Sequence, residues 1–116
     1  MGKSTFRVVI RHGTEALVRP PFEVADKTDP NASLTVKNPT GARLLIKVPA
    51  NLFQTSGNNP APIPASVFEI NAGQQRTFDL NKVGTGAARG IYSLPIFCEE
   101  SFTMAKANSD PEFIVE

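Results

Sequence analysis

Several residue types are scarce in this sequence, and each scarcity narrows the chemistry it can hold. A single cysteine, Cys98, means that no disulfide can form within the chain, so the redox compartment stays open. A single histidine, His12, excludes a two-histidine carboxylate metal triad. It also leaves a thiol nucleophile with one candidate base, in a Cys98–His12 pair that would need the thiol exposed and activated. Apolar runs are short. Leu44-Leu45-Ile46 is typical, far below the roughly 20 residues of a membrane-spanning helix. The formal net charge of +1 gives no global attraction to nucleic acid or to an acidic membrane. Met1-Gly2-Lys3-Ser4 is not followed by an apolar run and a small-residue cleavage site, so it does not read as a secretory signal. Phe6 stands where a myristoylation pattern would want a hydroxyl residue.

At 116 residues the chain reads as one domain, residues 1–116, able to bury roughly two-thirds of the surface of its unfolded form. The charge is uneven, positive over residues 1–50 and negative over 51–116. In a sandwich whose halves interleave, that reads as complementary surface charge rather than as a patch. Ten prolines and eight glycines punctuate short alternating stretches. Thr5 to Arg11 sets Phe6, Val8 and Ile10 on one face, and His12-Gly13 ends it, with His12 as a solvated cap. Ala16 to Val18 and Phe22 to Val24 flank Pro20-Pro21, whose missing N–H groups confine that region to a sheet edge. Asp26 to Ala32 is loop, with a glycosylation sequon at Asn31-Ala32-Ser33. Ser33 to Lys37 and Arg43 to Val48 flank Asn38-Pro39-Thr40-Gly41, a type I turn signature that predicts a hairpin. Val67 to Ile70 and Arg76 to Leu80, split by Asn71-Ala72-Gly73, predict a second pair with Phe68, Ile70, Phe78 and Leu80 in the core.

Between those pairs, residues 51–66 are long and aperiodic, with Pro60, Pro62 and Pro64 at alternate positions. The spacing read by PxxP-binding domains is absent. The segment is either a semi-rigid connector or a loop that binds a protein partner. Gly84-Thr85-Gly86-Ala87-Ala88-Arg89-Gly90 does not fit a dinucleotide fingerprint, since its third glycine falls late and a strand follows, so it reads as a flexible turn. The strand that follows, Gly90 to Cys98, organises the rest: Tyr92, Leu94, Ile96 and Cys98 share one face, and Phe113-Ile114-Val115 closes the chain. No stretch has a capped helical period, with room only for a short turn within Glu99 to Asn108. The expectation is an all-β Greek-key sandwich of about seven strands.

Three stretches carry a family resemblance. Leu34-Thr-Val-Lys-Asn-Pro-Thr-Gly is similar to the strand and turn of the cupredoxins, and Phe68-Glu-Ile-Asn-Ala-Gly-Gln-Gln-Arg-Thr-Phe to the strands before their last hairpin. Gly90 to Cys98, Met104 and Phe113-Ile114-Val115 resemble their ligand strand, methionine loop and closing strand. Together they cover roughly residues 33–115. The resemblance implies a cupredoxin-like sandwich and slightly favours a periplasmic or secreted location.

The departures matter for function. Type 1 copper needs two imidazoles, a thiolate and a weak axial thioether. Cys98 and Met104 match, but the residues between them include no histidine, and Ala42-Arg43-Leu44 stands where the first imidazole would be. The expectation is therefore a non-enzymatic module without metal or cofactor, monomeric, with a poorly reactive buried thiol. The alternative is copper, as Cu(I), held by Cys98, Met104 and Glu99. Glu99, Glu100, Asp110 and Glu112 read as a solvated rim rather than a hard-cation site. An immunoglobulin-like sandwich is the alternative fold, matched at Gly90-Ile91-Tyr92 but lacking the core tryptophan and the second cysteine, for which Leu94 stands.

Overall fold

A computed structural model describes residues 3–11, 15–105 and 110–116. The chain folds as an all-β sandwich with no helix among the described residues. The segments are β1 (Lys3–Arg11), β2 (Glu15–Arg19), β3 (Phe22–Ala25), β4 (Ser33–Lys37), β5 (Leu44–Val48) and β6 (Phe53–Gln54), then β7 (Ser66–Ile70), β8 (Gln75–Leu80), β9 (Gly90–Ser93), β10 (Ile96–Cys98), β11 (Thr103–Ala105) and β12 (Glu112–Val115). Alternation fixes which side of each strand is buried: Phe6 and Val8 of β1, Leu34 and Val36 of β4, Leu44, Ile46 and Val48 of β5, and Phe113 and Val115 of β12 all face the core.

One layer has the order β2-β1-β4-β8-β6. The second consists of β11-β10-β5-β7 and β3-β12-β9, joined through interrupted strands. β9 pairs with β12 and β10 with β11, so the Gly90–Cys98 stretch runs through both smaller sheets. Its break falls at Leu94-Pro95. Pro95 has no N–H to give, the Leu94 N–H bonds the Pro111 carbonyl at 2.8 Å, and the Pro95 carbonyl accepts from Lys47 N–H at 2.9 Å. The continuous Gly90–Cys98 strand expected from sequence is thus two segments. Leu94, Ile96 and Cys98 nevertheless stay fully buried, with Tyr92 half-buried beside them. β1 runs parallel to β4, and β3 parallel to β12. The chain passes from β2 in one layer to β3 in the other through the cis Arg19–Pro20 peptide and Pro21.

Both predicted hairpins are corrected. β4 pairs with β1 and β8, while β5 pairs with β10 and β7, so the Asn38 connection arches from one layer to the other. The connection from β7 to β8 arches in the same way. A hairpin would set the apolar rows of β4 and β5 side by side on one face, whereas an arch sets them face to face across the core. Asn38, only 1% exposed, locks the two arches together. Its Nδ2 donates to the carbonyls of Ala42 (2.8 Å), Ile70 (2.9 Å) and Asn71 (3.2 Å), and its Oδ1 accepts from Thr40 N–H (3.1 Å) and Thr40 Oγ1 (2.6 Å). Its backbone bonds the other arch as well, N–H to Gln74 carbonyl and carbonyl from Gly73 N–H.

The glycine run before β9 is a mostly exposed turn, as expected, anchored to the core at Ala87. Asn81 is buried, donates from Nδ2 to Asn51 carbonyl, and accepts at Oδ1 from Val83 N–H. Its own carbonyl accepts from Ala87 N–H, and Ala87 is buried. Gly86 sits at φ +75°, where a Cβ would lie 2.8 Å from that carbonyl oxygen.

Candidate functional site

The first candidate is the end of the sandwich that carries Cys98, Met104 and Glu99. Cys98 pairs across the sheet with Leu44 and Thr103 and is completely buried, as the alternation predicts. Met104 is one residue out of phase with it: it lies opposite Phe97 and is 38% exposed, on the outer face. Phe102, 79% exposed at φ +53°, stands edge-on to Phe97 at 5.3 Å. Glu99 turns to Arg43, whose Nε donates to Glu99 Oε2 at 2.7 Å and whose Nη1 donates to Glu69 Oε1 at 2.7 Å. Those hydrogen bonds, to Glu99 first and then Glu69, raise the guanidinium pKa above its usual value. Thiol, thioether and carboxylate therefore do not converge. No group of three or more His, Cys, Asp or Glu suited to a metal occurs among the described residues. His12 lies outside the described residues. Glu100 contacts the Gly41 N–H, and Glu99 and Glu100 are each engaged with the arch that carries β4 into β5.

The second candidate lies at residues 51–66, which contain a feature the sequence did not reveal. Leu52 and Phe53 are buried, and β6 pairs with β8 at the edge of the first layer. Phe53 stacks with Phe78 (5.1 Å between centroids) and Phe113 (5.6 Å). The adjacent apolar pair inside a polar loop was the available signal. The chain then doubles back: Thr55 N–H bonds Ala61 carbonyl, Ile63 N–H bonds Phe53 carbonyl, and Asn51 N–H bonds Ile63 carbonyl. Pro62 bridges Gln54 in register. Prolines on this returning segment offer no N–H to a further strand, which closes that edge of the first layer.

Directly beside it runs β7, the edge of the second layer. Between β7 and the returning segment lies a groove of about 380 Å³ whose walls include Ile63, Pro64, Ser66, Phe68, Arg76 and Phe78. Arg76 is paired in register with buried Val36, so its side chain points to the inner side at the mouth between the layers. Its guanidinium carbon lies 4.4 Å from the centre of the Phe68 ring and 5.7 Å from that of Phe78, and the two rings meet edge to face at 5.4 Å. A guanidinium held on a ring face at an exposed site is stabilised by about 0.5–1 kcal/mol and keeps its N–H fork turned to solvent. Among the described residues no carboxylate lies within ion-pair distance of Arg76, in contrast to doubly paired Arg43.

The fold is a β-sandwich with a groove at one edge. Compared with protein-family models, with curated proteins and with solved structures, the chain shows no match.

Proposed function

We propose that this chain is a non-enzymatic, cupredoxin-like Greek-key sandwich without a type 1 copper site, serving as a binding or assembly module for a protein partner through residues 51–66. One observation carries the binding reading: those residues are folded into a wall, pinned by backbone hydrogen bonds, that faces a groove of mixed apolar and polar lining with a ring-stacked guanidinium at its mouth. An apolar cleft with a few convergent polar groups is the usual form of a recognition site. The order of the Cys98 strand, the Met104 segment and the closing strand supports the family likeness. Thiol and thioether on opposite faces of one sheet support the copper-free reading.

Two measurements test it. Titration with Cu(I) or Cu(II), followed by absorbance and amide shifts, is expected to leave the signals around Cys98 and Met104 unchanged. Stoichiometric, selective perturbation there would overturn the copper-free reading. Peptides selected from a random displayed library on the folded protein are expected to lose about tenfold in affinity for an Ile63→Asp variant. Binders indifferent to Ile63→Asp would overturn the role of residues 51–66.

A further inference from the structure

We propose that the groove takes an extended peptide, which adds to the open edge of β7 as a further strand and sets a carboxylate side chain on Arg76. The proposal rests on the binding-module reading and specifies the partner's chemistry.

The edges of the sandwich are not equally protected. β6 is covered by the returning proline segment, β2 and β11 pack against one another, and β3 and β9 are only four residues long, β3 packing against β1. β7 pairs with β5 on one side only. An edge strand points half of its backbone N–H and C=O groups outward. The Lys47 N–H turns away from β7 to the Pro95 carbonyl, so Phe68 pairs with Ile46 in the ladder and the backbone groups of Val67 and Glu69 point outward, where no loop or side chain among the described residues takes them. The five residues of β7 match a partner segment of similar length, roughly 17 Å at the rise of a strand.

Side-chain alternation then orients the guest. Its outward residues would run beside Val67, which is 60% exposed, and Glu69, already bound to Arg43. Its inward residues would enter the groove, where Ile63, Phe68 and Phe78 stand beside hydroxyl and amide side chains and the Arg76 cation. Backbone pairing supplies affinity in strand addition, and alternate pockets supply specificity. An Arg fork stacked on a ring is preorganised to receive a carboxylate side-on, so the groove selects an acid among apolar neighbours. A second copy of this chain fits less well. Two β7 strands related by a two-fold axis at Phe68 would set Val67 opposite the other copy's Glu69 on the outer face, which brings no acid to Arg76.

The probe is the peptide acetyl-Thr-Val-Thr-Glu-Thr-Val-Thr-amide, titrated into the isotope-labelled full chain. Expected results are saturable shifts at residues 66–70 and at the Arg76 side chain, with slowed exchange of the Val67 and Glu69 amides. Changing the peptide's Glu to Gln, or Arg76→Gln in the protein, should each weaken binding about tenfold, with little further loss when combined. N-methylation of the peptide's central residues should abolish binding without touching the protein. Arg76→Lys, which keeps charge but not the fork, should fall between. Absence of saturable shifts at about 1 mM peptide would overturn the proposal. So would equal affinity of the Glu and Gln peptides, or shifts centred on the outer face of the β3-β12-β9 sheet, where Val24 and Ile91 are exposed on either side of half-buried Ile114. Shifts confined to residues 55–62 would remove the added strand while leaving the binding module in place. Protection of β7 without peptide, together with a dimer in sedimentation, would identify a second copy as the occupant instead.

Discussion

Replacing Asn38 by Ala should be among the most damaging single changes in this chain. The Asn38 side chain serves three carbonyls with two N–H hydrogens and accepts two further bonds from Thr40. About four hydrogen bonds are therefore at stake, each contributing about 1 kcal/mol net. Thr40 Oγ1 keeps a second acceptor at Ala42 carbonyl, which softens the loss on that side. The Ile70 carbonyl loses this donor at the junction of two arches, while the Asn71 carbonyl keeps the Gln74 N–H at 3.0 Å, so the expected loss is about 3 kcal/mol. Urea unfolding followed by fluorescence of Tyr92 and by circular dichroism reads it directly. With a slope of about 1.3 kcal/mol/M the midpoint should fall by about 2–3 M while the slope holds. Asn38→Asp should do no better than Asn38→Ala, because it turns a donor into a charged acceptor facing three carbonyl oxygens. A loss below about 1 kcal/mol for Asn38→Ala would refute the claim that this side chain locks the arches.

Gly86→Ala should cost about 2–4 kcal/mol, because a Cβ there meets Asn81 carbonyl at 2.8 Å in addition to the positive φ. Gly84→Ala has positive φ but open space, so its cost should stay near 1 kcal/mol, and equal losses by denaturant titration would refute the distinction. The Cys98 thiol should be alkylated slowly in the native protein, and Cys98→Ser should destabilise by about 1–3 kcal/mol. Complete labelling within minutes at neutral pH would contradict its burial. Asp26 accepts from the Thr28 N–H and then from the Thr28 hydroxyl, which hold its carboxyl below the usual aspartate pKa. Since the folded value is the lower one, the contribution to stability is present above the ordinary aspartate value and is lost as pH falls through the folded value. A carboxyl titration by NMR should move upward in Thr28→Ala, and an unchanged titration would refute the assignment.

Strand positions and buried faces were largely legible, because period-two alternation is a local property that survives whatever the partner. Leu34, Val36, Leu44, Ile46, Phe78 and Leu94 are buried as their alternation requires. Partnership was not legible. Asn38-Pro39-Thr40-Gly41 carries turn chemistry that serves a hairpin and an arch equally well, and only the contact of Asn38 with Ile70 and Asn71 distinguishes them. β6 was hidden because two residues are too few to show a period. Residues 51–66 drew attention by length and proline, yet the cation facing them did not. Arg76 and Phe68 are on neighbouring segments of sequence that enter different layers, and their stacking exists only once the second arch has formed.

The placement of β12 has a consequence for the order in which the protein can assemble. This segment, residues 112–115, lies between β3 and β9 and fills the core with Phe113 and Val115. Its parallel partner β3 is synthesised about 90 residues earlier. During vectorial synthesis the slot between residues 22–25 and 90–93 therefore stays vacant until residues 112–115 leave the ribosome, with two unpaired edges exposed meanwhile. Pairings so distant in sequence carry a large closure entropy and slow folding. Completion of the second layer therefore waits on residues 112–115, so a nascent chain stalled before residue 112 has an open, aggregation-prone sheet rather than a smaller version of the fold.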